Sequence, residues 1–202
     1  MSAADVRFDA VVLAGGRSSR LGGIPKAGLV LGGRTLLERC CAALAGAQRL
    51  VVVGPEPEPG TRRHLAGRPS FVREEPPFAG PAAAVVAGFG TITDPAPWCA
   101  VMACDMPRVD ELLTVLLEAS RQDGRASLVP VDGGRDQPLA ALYRSEDLGL
   151  AIDSVLARGA VENISMRNLL ASVRTRVVPV PPGVTHDVDT PEDARELGID
   201  VP

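Results

Sequence analysis

The chain of 202 residues carries a formal charge of -4, from 21 lysines and arginines against 25 aspartates and glutamates. That length suits roughly one domain with a substantial core, and the charge balance leaves no basic field for coating nucleic acid or a membrane surface. No stretch is apolar over the length a bilayer needs, and "MSAADVRFDA" lacks the basic start and apolar core of a signal peptide, so a cytoplasmic protein is expected.

In chain order, "FDAVVLA" is a short apolar run followed by glycines, as suits a buried first strand. "RTLLERCCAALAGA" has apolar residues at helical spacing, with Thr35 as its N-cap candidate. "RLVVVG" reads as a second strand, "PEPEPGTRRHLAGRPS" as a loop with a short helix, and "FVRE" as a third strand. "GPAAAVVAGFG" predicts a loop feeding a helix that tolerates proline in its first turn. "PWCAVMACD" is a strand that ends abruptly at Asp105, and "VDELLTVLLEASRQ" supplies an amphipathic helix. "ASLVPV" and "QPLAALYR" flank the turn "DGGRD"; two helical stretches, "EDLGLAIDSVLAR" and "ENISMRNLLA", and a strand, "RTRVVPV", precede "THDVDTPEDARELG". This alternation predicts a single three-layer, Rossmann-like α/β domain with a mostly parallel sheet, whose ligands gather at the carboxyl ends of the strands.

The four cysteines, Cys40, Cys41, Cys99 and Cys104, have no zinc-finger spacing and are read as core residues. Cys99 and Cys104 lie an odd number of residues apart in one strand, so they should face opposite sides of the sheet. Aromatic residues make up only 3% of the chain, so an aromatic sandwich around a bound ring is not expected, and backbone and polar edges should do that work.

The stretch "LAGGRSSRLGGIPK" sets four glycines and three cations directly behind the first strand. It is not a Walker loop, because Lys26 follows Pro25 and precedes Ala27, nor does Gly15-Gly16-Arg17-Ser18-Ser19-Arg20 supply the dinucleotide fingerprint. Glycines at a strand end still let the backbone approach a ligand with its N–H groups exposed. Arg17, Arg20 and Lys26 could neutralise a triphosphate; a surface loop with solvated cations is the alternative.

The same stretch resembles the L-A-G-G-x-S-x-R-x-G-x-x-K signature of the molybdenum cofactor guanylyltransferases, within the nucleotidyltransferases that build nucleotide sugars and related diphosphates. Later segments resemble the family in the same order: "FVREEPPFAGPAAA", "MACDMP", "GRDQPLAALYR" and "THDVDTPEDA". Two departures are visible. The family's G-P-L-A-G loop appears as Gly80-Pro81-Ala82-Ala83-Ala84, and "IPK" replaces the commoner D-K.

The resemblance implies one domain over residues 1–202, with a nucleotide-binding part over about 1–110 and an acceptor-binding part over about 111–202. Its implied reaction is Mg²⁺-dependent transfer of GMP from GTP to a molybdopterin-type acceptor, with pyrophosphate leaving. Leu13, Ala14, Gly15, Gly16, Arg17, Lys26, Glu75 (or Glu74), Gly80, Pro81 and Asp105 would contact the nucleotide. Asp105, Lys26 and Arg20 would carry the chemistry, Asp105 and Asp189 the metal, and Arg135, Gln137 and Asp187 the acceptor, with Asp136 and Pro138 nearby. Asp187 and Asp189, two apart in an extended segment, share a face and could approach one metal, while Asp189 or Thr190 could instead cap the helix that begins at Pro191. A transient contact with molybdoenzymes or cofactor chaperones is a further expectation. CTP in place of GTP, a sugar phosphate or phospholactate as acceptor, and a silent cofactor-delivery partner remain alternatives; retention of Asp105, Arg20 and Lys26 speaks against silence.

Overall fold

The computed structural model describes residues 6–16, 18–159 and 164–199. Ten strands are formed by Phe8–Leu13 (β1), Val30–Leu31 (β2), Arg34–Thr35 (β3), Leu50–Val53 (β4), Ser70–Val72 (β5), Trp98–Ala103 (β6), Ser127–Asp132 (β7), Arg135–Asp136 (β8), Ala140–Arg144 (β9) and Thr175–Pro179 (β10). Seven helices are formed by Leu36–Ala43 (α1), Pro59–Arg62 (α2), Pro81–Gly90 (α3), Val109–Gln122 (α4), Ser145–Leu156 (α5), Met166–Leu169 (α6) and Pro191–Glu196 (α7).

The main sheet runs β10-β7-β9-β6-β1-β4-β5, with β8 paired to β7. β4, β1 and β6 are parallel neighbours, as are β4 with β5 and β7 with β10, whereas β9 runs antiparallel to both β6 and β7. This is the mostly parallel α/β sheet that the alternation predicts. The turn "DGGRD" closes the hairpin of β7 with the two-residue β8, and β9 is a separate strand that inserts beside β6. The hairpin of β2 and β3 has no counterpart in the sequence expectations. Its two-residue turn, Gly32-Gly33, has positive φ at both positions (60° and 79°), which glycine adopts without steric cost.

Alternate residues of the central strands enter two different cores. Phe8, Ala10 and Val12 of β1 and Trp98, Ala100 and Met102 of β6 pack with α1 and α4, together with Cys40, Cys41 and Cys104. Val11, Cys99, Val101 and Tyr143 pack with α3, α5 and α6 on the other face. Both faces are therefore covered, and Cys99 and Cys104 do part to opposite sides. All four thiols are buried and free, and burial pushes the pKa of each up, to about 12 for Cys41.

Local signals explain the helix starts. Thr35 caps α1 through a reciprocal pair in which Glu38 N–H donates to Thr35 Oγ1 (3.1 Å) and Thr35 N–H to Glu38 Oε2 (2.7 Å). On the opposite face of the sheet, α3 lies unusually close, because Gly88 has no side chain where it meets β1 and β4. A Cβ there would stand 2.6 Å from Val11 Cγ1 and 2.7 Å from Val53 Cγ2. Gly88→Ala should therefore destabilise the fold by about 1–3 kcal/mol through overpacking. Urea unfolding checks this, and an unchanged midpoint would mean that the two valines give way freely.

Candidate active site

The carboxyl ends of β1, β4 and β6 meet at one edge. Ala14 N–H donates to the Val53 carbonyl (2.8 Å), Cys104 N–H to the Leu13 carbonyl (3.0 Å), and Val188 N–H, from far along the chain, to the Asp105 carbonyl (3.1 Å). Gly54 makes the first contact tight: a Cβ there would lie 2.8 Å from the Ala14 carbonyl carbon. The loop leaves β1 over this point and is not slack. Ser18 takes a left-handed conformation (φ 45°), and its carbonyl accepts from Leu21 N–H (2.9 Å) and Gly23 N–H (3.0 Å). Leu21 then drops into a third, small core with Leu29, Leu36, Val188, Ala194 and Ile199. That core ties the loop to the segment carrying Asp187 and Asp189.

Charged side chains converge above it. Lys26 Nζ donates to Asp105 Oδ2 at 2.7 Å and also to Asp189 Oδ1, while Arg20 Nη1 donates to Asp189 Oδ2 at 3.0 Å. Asp105, Asp187 and Asp189 each offer a carboxylate oxygen, and these lie within 4.8 Å of one another. Burial works against the charge on Lys26, but the two aspartates beside it outweigh that and hold its pKa above the ordinary lysine value. Burial, with negative Asp105 and Asp189 nearby, pushes the Asp187 carboxyl up. Asp189 is free for these contacts because the cap of α7 is Thr190: Asp193 N–H donates to Thr190 Oγ1 (3.2 Å), and Thr190 N–H to Asp193 Oδ2 (2.7 Å). The segment before it is clasped by Asp132, whose carboxylate accepts from Gly183 N–H (3.1 Å) and from Thr185 Oγ1–H (2.9 Å).

The cleft around this cluster has three connected parts. A cavity of about 340 Å³ is lined by Leu13, Gly15, Gly16, Glu74, Gly80 and Pro81, and reaches Asp105. A second, of about 220 Å³, shares Asp105, Ala103 and Leu139 with the first and adds Lys26, Gln137, Asp187 and Asp189. A third, of about 140 Å³, lies under the loop between Ala14, Ser18 and Lys26, and takes in Arg73 and Glu74. Three expected residues stand elsewhere. Glu75 is exposed and lines none of the three; the adjacent Glu74, buried and accepting from Phe78 N–H at 3.1 Å, is the carboxylate that does. Arg135 and Asp136, exposed on the hairpin strand β8, line none of the three either, whereas Gln137 and Pro138 do. Arg17 lies outside the described residues. Arg73, Phe78 and Thr185 line the cleft without having been expected; the signal for the first two was their place between a strand end and Gly80-Pro81.

The donor set fits a hard divalent cation. It is all carboxylate oxygen, and Asp105 Oδ1 is buried without a hydrogen-bond partner, an atom that costs free energy unless a ligand meets it. The chain thus sets anionic oxygens for a metal beside cations and exposed amides suited to phosphate.

Comparison with known proteins gives a consistent result. A family model described as "MobA-like NTP transferase domain" matches residues 10–175, a stretch that includes Lys26 and Asp105 and stops before Asp187 and Asp189. A relative from Natronomonas pharaonis, named "Probable molybdenum cofactor guanylyltransferase", is 32% identical over 200 residues, covering 92% of this chain and 96% of the relative. A Bacillus cereus relative of the same name is 33% identical over 175 residues, covering 85% and 84%. Among solved structures, molybdopterin-guanine dinucleotide biosynthesis protein A from Archaeoglobus fulgidus superposes with a TM-score of 0.68 at 22% identity, covering 94% of this chain and 96% of that one. A 2-C-methyl-D-erythritol 4-phosphate cytidylyltransferase from Thermus thermophilus has the same TM-score and identity, covering 95% and 97%.

The small core generates a testable expectation. Leu21→Ala removes a fully packed side chain at a cost of about 2–5 kcal/mol, and the loss should be felt on both sides of it. Hydrogen exchange should quicken in residues 21–29 and in 188–199 together; quickening confined to the first would show that the two segments are held separately.

Proposed function

The chain belongs to the family of MobA-like NTP transferase domains and is a nucleotidyltransferase, and from that premise we propose that it transfers GMP from GTP to a molybdenum-bearing molybdopterin, giving the guanine dinucleotide cofactor and pyrophosphate, with Mg²⁺ bound, in the cytoplasm. The observation that carries the reading is the position of Asp105, which lines both the glycine-lined cavity and the one containing Gln137 and Asp187, with Lys26, joined to Asp105 and Asp189, on the wall of the second. A reaction joining two phosphates needs a charged centre between two binding spaces.

In this reading the nucleotide lies over Leu13 to Gly16, with the backbone and the buried carboxylate of Glu74 at its polar edges. Lys26 and Arg20 answer the triphosphate, and Arg73 on the same wall adds a third cation. The acceptor enters beside Gln137 and Asp187, so residues up to about 110 serve mainly the nucleotide and later ones the acceptor. An acceptor phosphate oxygen attacks the α-phosphorus in line, the bond to the bridging oxygen breaks, and pyrophosphate leaves with the electron pair. The nucleophile is already an anion, so the chain need supply no base and no covalent intermediate; its task is positioning and charge. Mg²⁺ held by Asp105 and Asp189, with Asp187 beside them, would add Lewis-acid charge at the reacting phosphate oxygens. Guanine is favoured by the Leu-Ala-Gly-Gly form of residues 13–16, which resembles the guanylyl signature, and by the names of the relatives at 32% and 33% identity.

The direct test is incubation with molybdenum cofactor and each nucleoside triphosphate in turn, following pyrophosphate and the dinucleotide product. Product with GTP alone supports the proposal, and product with CTP instead would overturn the choice of base. Asp105→Asn should lower turnover by about 10²-fold or more while leaving the melting temperature near that of the parent. Lys26→Met should move two affinities in opposite directions. Bare Mn²⁺, followed by its electron paramagnetic resonance, should bind more tightly because no ammonium competes for Asp105 and Asp189, whereas GTP should bind more weakly. Weakening of both would show that Lys26 holds the aspartates in place and does not compete with a cation.

A further inference from the structure

Asp187 and Asp189, two of the three carboxylates that converge in the cleft, stand on neither a strand nor a helix. They belong to the connection that runs from the end of β10 at Pro179 to the start of α7 at Pro191. Side chains on such a segment are only as well placed as the contacts that hold its backbone.

Those contacts can be followed along the connection. Val180 N–H donates to the Val131 carbonyl at 3.3 Å, and Val188 N–H to the Asp105 carbonyl at 3.1 Å. Asp189 N–H donates to Asp193 Oδ2 at 3.0 Å, an oxygen already engaged in capping α7. Between these points the hold comes from Asp132. Its Oδ1 accepts from Gly183 N–H at 3.1 Å, and its Oδ2 from Thr185 N–H at 3.2 Å and Thr185 Oγ1–H at 2.9 Å. Both oxygens of one side chain are thus given to residues 51 and 53 positions later. Thr185 is buried and lines the 220 Å³ cavity that also contains Asp187 and Asp189.

Asp132 is the last residue of β7. Because β9 runs antiparallel to both β6 and β7, those two strands point the same way, and Asp132 comes to the edge of the sheet at which Asp105 stands. The clasp therefore sets one pair of aspartates against the sheet that carries the third. An ionised carboxylate, which only accepts, suits three converging donors, whereas an amide would turn its N–H₂ toward one of them. Burial works against the charge on Asp132, but the N–H groups of Gly183 and Thr185 outweigh it and hold the carboxyl below the ordinary aspartate range.

We infer that Asp132 is a positioning residue for the metal site: through Gly183 and Thr185 it fixes Asp187 and Asp189 at the distance from Asp105 at which one divalent cation can meet all three. This rests on the Mg²⁺-dependent reading above and deepens it.

The test follows bare Mn²⁺ by electron paramagnetic resonance on the full chain, without nucleotide, well below the melting temperature of each variant. Asp132→Asn should weaken Mn²⁺ binding by about tenfold. Thr185→Val, which removes one donor and no charge, should show a smaller loss in the same direction. In a chain carrying Asp187→Asn and Asp189→Asn, adding Asp132→Asn should cost nothing further, because the residues it acts through are gone. An unchanged Mn²⁺ affinity in Asp132→Asn would overturn the inference, and so would an equal loss in the chain without the two aspartates, which would show that Asp132 acts by its own charge. A parent chain that binds no Mn²⁺ would overturn the metal reading and this inference with it; a parent that binds, with Asp132→Asn binding equally well, overturns this inference alone.

Discussion

An ammonium held between two carboxylates stays where it is until something positive replaces it or something negative draws it away. Lys26 stands in that position between Asp105 and Asp189, and much of the molecule is arranged to keep it there. Three aspartates whose oxygens come within 4.8 Å of one another would repel if nothing lay among them. Lys26 and Arg20 offset that repulsion, but both are also the cations a triphosphate would call on. Their two loyalties couple the anion side of the cleft to the cation side: whatever takes the aspartates frees the basic groups. Such coupling is reciprocal by thermodynamic necessity.

The sheet supplies the fixed frame for this exchange. β1 and β6 are buried on both faces, so the points at which they end, Leu13 and Ala103, two residues before Asp105, cannot drift relative to one another without disturbing two cores. The antiparallel β9 enters next to β6 and brings Gln137 and Leu139 to the same edge. One rigid edge thus presents the glycine loop, the acid and the far cavity side by side.

Features written in a few neighbouring residues were legible in advance. Thr35 as the cap of α1, Thr190 as one of the two cap candidates for α7, the apolar run that stops at Asp105, and the opposite faces of Cys99 and Cys104 all follow from short spacings. Features set by chain direction or by distant contacts were not. The continuous apolar run in "QPLAALYR" marks a strand without saying which way it runs, so its antiparallel insertion was hidden. Glu74 and Glu75 differ by one step in an extended exit from β5, and that step reverses the side a residue faces; the phase depends on β5 ending at Val72. No local pattern joins Lys26 to Asp189, 163 residues later. The Gly32-Gly33 turn was a readable signal, but the two-residue strands it joins are too short to show a period.

The small core that seats the loop draws Leu21, Leu29 and Leu36 from early in the chain and Val188, Ala194 and Ile199 from late in it. During synthesis these halves are separated in time as well as in sequence. At about 5–20 residues per second, roughly ten to thirty seconds pass between the emergence of the loop and that of the segment which seats it. For that interval the nascent chain carries the loop, and in its second half Asp105 as well, without Asp189 and without the late residues of the core around Leu21. A half-made molecule therefore exposes leucines that the finished fold buries, and its cleft is still missing the wall that carries Asp187 and Asp189.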